Sequence, residues 1–136
     1  MIILGTNSIK ETGFNVDNSV RFNGADNAYM HKTPSGAGNR KKFTISCWIK
    51  KARGNGAGIS LFNAYAADND AGHFNFNITG AEKLDVTTYS TTLLATNRLF
   101  KDTTSWYHLM CAVDTTLATA DNRVRLYVNG IEETSF

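Results

Sequence analysis

The chain contains 136 residues, of which 42% are hydrophobic and 19% are charged, and its formal net charge is +2. This composition excludes a disordered chain, and so small a charge gives no reason to expect a nucleic-acid partner. The apolar opening Met1–Leu4 stops at Gly5. That run is too short for a signal peptide or a membrane-spanning helix, so no membrane insertion is expected.

The N-terminal residues divide into an arm and the beginning of a domain. Residues 1–18 show no sustained hydrophobic period and are predicted to form an extended arm. Residues 19–136 are predicted to form one domain, since their number suits a single core. Val20 and Phe22 flank a charged residue, and a polar turn separates them from Tyr29. This pattern predicts a short hairpin at the start of the domain.

The segment Phe43–Lys50 is the first strong strand signal. Its apolar residues occupy every second position without helical spacing, which predicts a central strand. Trp48 lies on the polar face of that strand, where it is either a stacking platform or covered by another segment. Cys47 lies on the apolar face, as does Cys111 in a later strand. Because there is no dense cysteine framework, both are predicted to be buried free thiols.

A loop rich in acidic and amide side chains, residues 64–72, is the most site-like segment. It lies between strands predicted at 59–62 and 73–78, and a further strand is predicted at 84–89. Closely spaced carboxylate and amide oxygens suit hard cations or sugar hydroxyls, whereas the alternative interpretation is a solvated turn. The segment lacks the Gly and distal Glu of an EF-hand loop. Its candidate site residues are Tyr65, Asp68, Asn69, Asp70 and His73.

The last third of the chain carries the clearest alternation. Residues 106–114 are predicted to form a buried strand, because one face is strongly apolar. Residues 123–129 are predicted to form a second strand. It ends in Asn129-Gly130, the dipeptide that best tolerates a tight two-residue hairpin turn.

The predicted hairpin fixes which residues face one another. Tyr127 pairs with Glu132, and Arg125 reaches Glu132 diagonally across the outer face. Leu126 then faces Glu133, which is a poor pair. This predicts either a bulge near Glu133 or an edge position where its carboxylate reaches water.

The whole pattern predicts an all-β fold. No window of helical length shows the 3.6-residue period, and many short strands joined by polar turns indicate two antiparallel sheets packed as a sandwich or jelly roll. No two glutamates are spaced as the acid and second carboxylate of a glycosidase, and the three histidines lie far apart. Neither an enzyme nor a zinc site is therefore expected.

The chain resembles a known family in four blocks that match in order and spacing: SVRFNGADNAYM, TPSGAGNRKKFTISCWIK, LFKDTTSWYHLMCAVDTT and DNRVRLYVNGIEETSF. They are similar to the concanavalin A-like, laminin G-like jelly-roll domains of structural and tail proteins of marine bacteriophages. The resemblance covers residues 19–136 and implies a two-sheet sandwich that binds carbohydrate or protein. The glucanase branch carries an E-x-D-x-x-E strand that this sequence lacks, which favours binding over hydrolysis.

The resemblance also implies strands beyond those found here. Family members continue past the hairpin, whereas this chain ends at Phe136. We therefore expect either a fragment without its C-terminal strands or a strand supplied by another chain. Val20–Phe22, Glu132–Phe136 or both are expected to be covered by a partner. The expected partners are other virion subunits, in a homo-oligomer or as a strand-complementing neighbour.

Two functions are expected from this resemblance. The first is a non-catalytic, virion-associated module that recognises host surface carbohydrate, on the particle surface or the tail. The alternative is a purely structural virion protein, a capsid decoration or tail building block that contacts other subunits. No cofactor is expected, although calcium stays open because some laminin G-like domains bind it. The residues expected to bind carbohydrate, by stacking or hydrogen bonding, are Trp48, Tyr65, Asp68, Asn69, Asp70, His73 and Tyr89.

Overall fold

The computed structural model describes residues 18–52, 56 and 58–136. The chain divides into two compact units, Met1–Ala37 and Gly38–Phe136. The arm predicted for residues 1–18 lies outside the described residues except for Asn18, which has no regular secondary structure.

The first unit does not form the predicted hairpin. Its described residues contain a 3-10 helix at Gly24–Asp26 and no strand, so that prediction is wrong. The Asp26 N–H donates to the Asn23 carbonyl over 3.2 Å and closes a tight turn instead. An isolated two-stranded hairpin is only marginally stable, and alternation over three residues is weak support for one.

The described residues of the second unit form eight strands in two antiparallel sheets, with 3-10 helices at Asp70–Gly72 and Ala120–Asn122. The first sheet has the order β1-β6-β7-β8 and the second the order β2-β3-β4-β5, as labelled below. The predicted all-β, two-sheet antiparallel sandwich is confirmed. The strands are β1 (Lys42–Lys50), β2 (Ile59–Tyr65), β3 (His73–Ile78), β4 (Lys83–Thr87), β5 (Thr92–Leu99), β6 (Trp106–Asp114), β7 (Val124–Val128) and β8 (Ile131–Glu132).

Alternation decides which side chains form the core. Leu109 and Cys111 in β6 and Leu126 in β7 are fully buried. Buried side chains from the second sheet belong to the same cluster, so the apolar faces of the two sheets meet in one core. Burial of each large aliphatic or aromatic side chain contributes about 1.5–3 kcal/mol. The second sheet and the residue that follows it contribute Phe76, Ile78, Leu84, Val86 and Phe100.

The prediction that Phe43–Lys50 is a central strand is wrong for the described residues, because β1 lies at the edge of its sheet. Its apolar residues alternate as predicted but are only half-buried, because β1 has a neighbouring strand on one side only within the described residues. Cys47 and Cys111 are both free thiols, as predicted, but only Cys111 is fully buried. Burial raises the pKa of the Cys111 thiol to about 12.

The C-terminal hairpin has the predicted register. Asn129 and Gly130 adopt positive φ angles of 52° and 81°, as a tight turn of this kind requires. Tyr127 pairs with Glu132, and Arg125 Nε lies 3.7 Å from a carboxylate oxygen of Glu132. The turn chemistry alone was therefore enough to place these residues.

Of the two alternatives predicted for Glu133, the edge position is found in the described residues, but the expectation that its carboxylate reaches water is wrong. Its N–H donates to the Leu126 carbonyl over 2.8 Å, so it faces Leu126 as predicted. Its carboxylate, however, is buried and accepts a hydrogen bond from Arg98 Nε at 2.6 Å instead of reaching water. The partner comes from β5 of the other sheet, which local pairing rules could not reveal.

The residues after Glu133 continue toward β5. The Asn97 N–H donates to the Ser135 carbonyl over 3.0 Å, and Asn97 Nδ2 donates to the Phe136 carbonyl over 2.9 Å. The C-terminal segment therefore leaves the first sheet and lies along the edge of the second. That a partner covers Glu132–Phe136 stays a prediction, with part of this segment bound by the chain's own β5.

Candidate functional site

The outer face of the second sheet is polar. Because successive side chains of a strand point to opposite faces, the residues between the buried ones of β3 and β4 lie on the face away from the core. Register places Asn63, Asn75 and Thr87 in one row across β2, β3 and β4. Ser60, Asn77 and Asp85 form the next row, and Tyr65 pairs with His73 beyond the first. We call these eight residues the polar face.

Hydrogen bonds connect the middle row of the polar face. Asn63 Nδ2 donates to Asn75 Oδ1, and Asn75 Nδ2 donates to Thr87 Oγ1 over 3.4 Å. Asn63 Nδ2 also lies 3.1 Å from His73 Nε2. These bonds hold the amide groups in fixed orientations.

Three rings meet at one end of the polar face. The Tyr65 and His73 rings lie 5.4 Å apart in an edge-to-face arrangement, and the His73 and Tyr89 rings lie 6.1 Å apart. Tyr65 is 61% exposed and Tyr89 is 53% exposed. We call Tyr65, His73 and Tyr89 the aromatic triad. It offers accessible ring surface beside hydrogen-bonding groups.

The loop between β2 and β3 is compact because its polar side chains bind within it. Asn69 Oδ1 accepts from the Gly72 N–H at 2.8 Å and caps the 3-10 helix Asp70–Gly72. A Cβ atom on Gly72 would lie 2.8 Å from the Ala67 nitrogen, so only glycine fits there. The Tyr65 hydroxyl donates to Asp68 Oδ1 over 3.0 Å. The loop thereby orients the Tyr65 ring.

Asp70 connects this loop to the turn between β4 and β5. Its carboxylate accepts from the Ser90 N–H at 2.8 Å and from the Thr88 hydroxyl at 2.7 Å, with further bonds from the Ser90 and Thr91 hydroxyls. These bonds, the Ser90 N–H first, lower the pKa of the Asp70 carboxyl to about 2. Asp70 thus positions Tyr89, which lies within the turn that it binds.

The structure therefore brings together six of the seven predicted site residues. The His73 ring lies near the rings of both Tyr65 and Tyr89. Asp68, Asn69 and Asp70 form hydrogen bonds that hold the neighbouring loops. The signal for Tyr89 was its strand-end position, but only the fold places its ring near His73. That these residues bind carbohydrate stays a prediction.

Trp48, the seventh predicted residue, belongs to a separate surface. It lies on the outer face of the first sheet, with its ring centre 5.1 Å from that of His108. It is 60% exposed, so the interpretation that another segment covers it is wrong for the described residues. Trp106 and the Asn129-Gly130 turn line the same cavity of about 470 Å³.

Sequence reasoning missed Asp85 as part of a site. It lies in β4 between the core residues Leu84 and Val86, is 8% exposed and has no hydrogen-bond partner for Oδ1. Burial raises the pKa of its carboxyl, and a hydrogen bond from Asn77 partly opposes that effect. Asp85 and Asn77 line a cavity of about 370 Å³. In the sequence, the feature that could have identified Asp85 was its position as a charged residue at the centre of an apolar strand.

Two other kinds of feature are absent from the described residues. In residues 18–52, 56 and 58–136, no three His, Cys, Asp or Glu side chains lie close enough together to hold a metal ion. In the same ranges, no helix has the length and apolar character needed to cross a membrane.

Comparison with known proteins identifies the family. A laminin G family model, described as the concanavalin A-like lectin/glucanases superfamily, matches residues 17–136. No curated protein and no solved structure gives a significant match. The two four-stranded antiparallel sheets agree with the sandwich of that superfamily. Its laminin G-like, lectin-type members are typically non-catalytic binding modules. The chain therefore belongs to the concanavalin A-like lectin/glucanases superfamily.

Proposed function

We propose that this chain is a non-catalytic carbohydrate-binding module that holds an oligosaccharide across the polar face. The observation that carries the proposal is the aromatic triad, with two half-exposed tyrosines next to a fixed row of amides. A sugar ring packs its C–H face on an aromatic ring while its hydroxyls bond to amide and hydroxyl groups. Along β3, His73, the strand partner of Tyr65, and Asn77, in the Asp85 row, are four positions apart, about 13 Å. That length gives room for more than one sugar.

The carboxylates of this region support binding without hydrolysis. Asp85 is the one carboxylate among the eight residues of the polar face. Glu82, in the turn before β4, is buried with its carboxylate 3.2 Å from Lys51 Nζ. Glycoside hydrolysis uses two carboxyl groups flanking one bond. We therefore expect no polysaccharide cleavage by the purified chain.

The test is a glycan array followed by calorimetry on the best ligand. We expect Tyr65→Ala and Tyr89→Ala each to weaken binding about tenfold, because each removes a stacking surface worth about 0.5–1.5 kcal/mol and frees the loop around it. Tyr29→Ala is the matched control, since Tyr29 is 81% exposed in the first unit. Trp48→Ala reports on the surface of the first sheet. Unchanged affinity in both triad variants, or loss only in Trp48→Ala, would contradict the proposal.

We also propose that the module is part of a phage virion and meets host surface glycans there. Its support is the similarity of four sequence blocks to phage structural domains. Mass spectrometry of purified particles tests it: the chain should be present in the particle, and its absence from particles would contradict the location.

A purely structural virion role is the second candidate function. One observation favours it: β1 is nine residues long and, within the described residues, pairs only with β6. Such an edge presents backbone groups that a neighbouring subunit can pair with. No binding on the array, together with the polar face buried between subunits in the particle, would favour this role over glycan recognition.

A further inference from the structure

The strongest unexplained feature of the described residues is the Asp85 carboxylate. It is 8% exposed and its Oδ1 has no partner. Buried polar atoms are almost always hydrogen-bonded, and buried charges are almost always paired. None of the ion pairs in the described part of the chain includes Asp85. A buried, unpaired carboxylate therefore marks a place where a ligand would complete the structure.

The surroundings of Asp85 form a cavity suited to a small ligand group. Its volume is about 370 Å³, and its polar lining comes from Ser60, Asn77, Thr79 and Asp85. Asn77 is the strand partner of Asp85, and its side-chain amide carries an oxygen that can accept a hydrogen bond. The Ser60 and Thr79 hydroxyl oxygens can accept as well, and Thr79 Oγ1 already accepts from the Lys83 N–H over 3.2 Å. Among the described lining residues, Asp85 carries the only charge.

This lining suits a primary ammonium group better than a neutral hydroxyl. A primary ammonium has three donors and one positive charge, and it needs several acceptors and an opposite charge. The cavity supplies a carboxylate oxygen without a partner, an amide oxygen and two hydroxyl oxygens. Charge-assisted hydrogen bonds are roughly twice as strong as neutral ones. A neutral hydroxyl would satisfy Oδ1 but would leave the buried charge uncompensated.

We propose that the Asp85 cavity binds the ammonium group of an amino sugar, so that the glycan on the polar face contains a sugar with a free amine. The inference rests on the proposed carbohydrate-binding function and names the class of its ligand. The Asp85 row lies two rows from the aromatic triad on the same face. One oligosaccharide therefore reaches both places.

Calorimetry with two β-1,4-linked trimers, at several pH values from mildly acidic to neutral so that both the amine and the Asp85 carboxyl are charged at some of them, tests the inference. The trimers are the fully deacetylated and the fully N-acetylated forms of glucosamine, which share length and linkage. We expect the deacetylated trimer to bind about tenfold more tightly, since the charge-assisted contact forms only with the free amine. Asp85→Asn should abolish this preference, because it removes the charge and keeps the side-chain volume. Asp121→Asn, the same change at an exposed site, should preserve it.

Several results would overturn the inference. These are equal affinity of the wild-type chain for both trimers, tighter binding of the acetylated trimer, no binding of either, or a preference that persists in Asp85→Asn. Circular dichroism and a thermal melt of each variant establish that it is folded. If Asp85→Asn does not fold, Asp85→Glu, which keeps the charge and displaces the oxygens, should lower the preference. Failure of this inference is distinct from failure of the proposed function: neutral glycans that bind and depend on Tyr65 and Tyr89 would leave carbohydrate binding intact.

Discussion

The ammonium group of Lys51 lies 3.2 Å from a carboxylate oxygen of Glu82, and both side chains are buried. Lys51 Nζ also donates to the Phe100 carbonyl, and the Phe100 N–H donates to the Glu82 carbonyl over 2.8 Å. Lys51 follows β1 in the first sheet, whereas Glu82 and Phe100 flank β4 and β5 in the second. The ion pair therefore joins the two sheets at one end of the sandwich.

Breaking this pair should be costly. We expect Lys51→Met to lower the free energy of unfolding by about 3–5 kcal/mol, because it leaves the Glu82 carboxylate buried without its cation. Urea unfolding at neutral pH measures the change. Lys42→Met is the matched control: its 3.0 Å pair with Asp114 is largely exposed, so its effect should be much smaller. Equal losses in the two variants would show that burial of the Lys51 pair has no special role.

A second prediction concerns the attachment of the C-terminal segment. Arg98→Met removes the partner of the buried Glu133 carboxylate and should cost about 1–3 kcal/mol. The Asn97 amide hydrogen, which bonds to the Ser135 carbonyl, should then exchange faster with solvent. Arg125→Met, which breaks the exposed pair with Glu132, should leave that exchange rate unchanged. Normal protection of the Asn97 amide in Arg98→Met would contradict the prediction.

The Asp70 bonds predict a dependence of stability on acid. The pKa of this carboxyl is lowered from 3.8 to about 2 in the folded chain. A lowered folded pKa means that the stabilisation is complete above pH 3.8 and is lost as the pH falls through about 2. Asp70→Asn should therefore flatten this part of the pH profile, which urea midpoints across the window would measure. Asp121→Asn should retain the wild-type slope, and a wild-type slope in Asp70→Asn would refute the assignment.

Asp85 should have the opposite pH dependence. Burial raises the pKa of its carboxyl, so its contribution to stability is complete below pH 3.8 and is lost as the pH rises through the folded value. Asp85→Asn should thus stabilise the free protein at neutral pH, by about 1 kcal/mol, since it removes an unpaired buried charge. The difference from the wild type should vanish in acid. Denaturant titrations at several pH values test this, and destabilisation by Asp85→Asn at neutral pH would contradict it.

A stabilising substitution at Asp85 would also bear on function. A carboxylate that costs stability in the free protein is typical of a residue that has a role in binding. If Asp85→Asn gives a more stable chain without the preference for the free amine, stability and binding oppose each other at this residue.

The candidate site was only partly predictable. The acidic and amide loop was identified because Asp68, Asn69 and Asp70 are adjacent in sequence. In the structure, Asn69 and Asp70 do more than face solvent. Their side chains accept hydrogen bonds from backbone and hydroxyl groups and so hold the loops in place. The Asp70 bonds form because the turn between β4 and β5 lies beside this loop, and the strand order of the second sheet places it there.

The sequence by itself determined the alternating faces of β1, β6 and β7 and the Asn129-Gly130 hairpin. Both depend on neighbouring residues, through the two-residue period of a strand and the positive φ of a tight turn. Only the tertiary structure decided that Tyr65 and Tyr89 both lie near His73 while Trp48 lies on another sheet. It also decided that Glu133 meets Arg98, 35 residues away. These contacts depend on strand order and register, which arise when the two sheets pack together and which no local pattern contains.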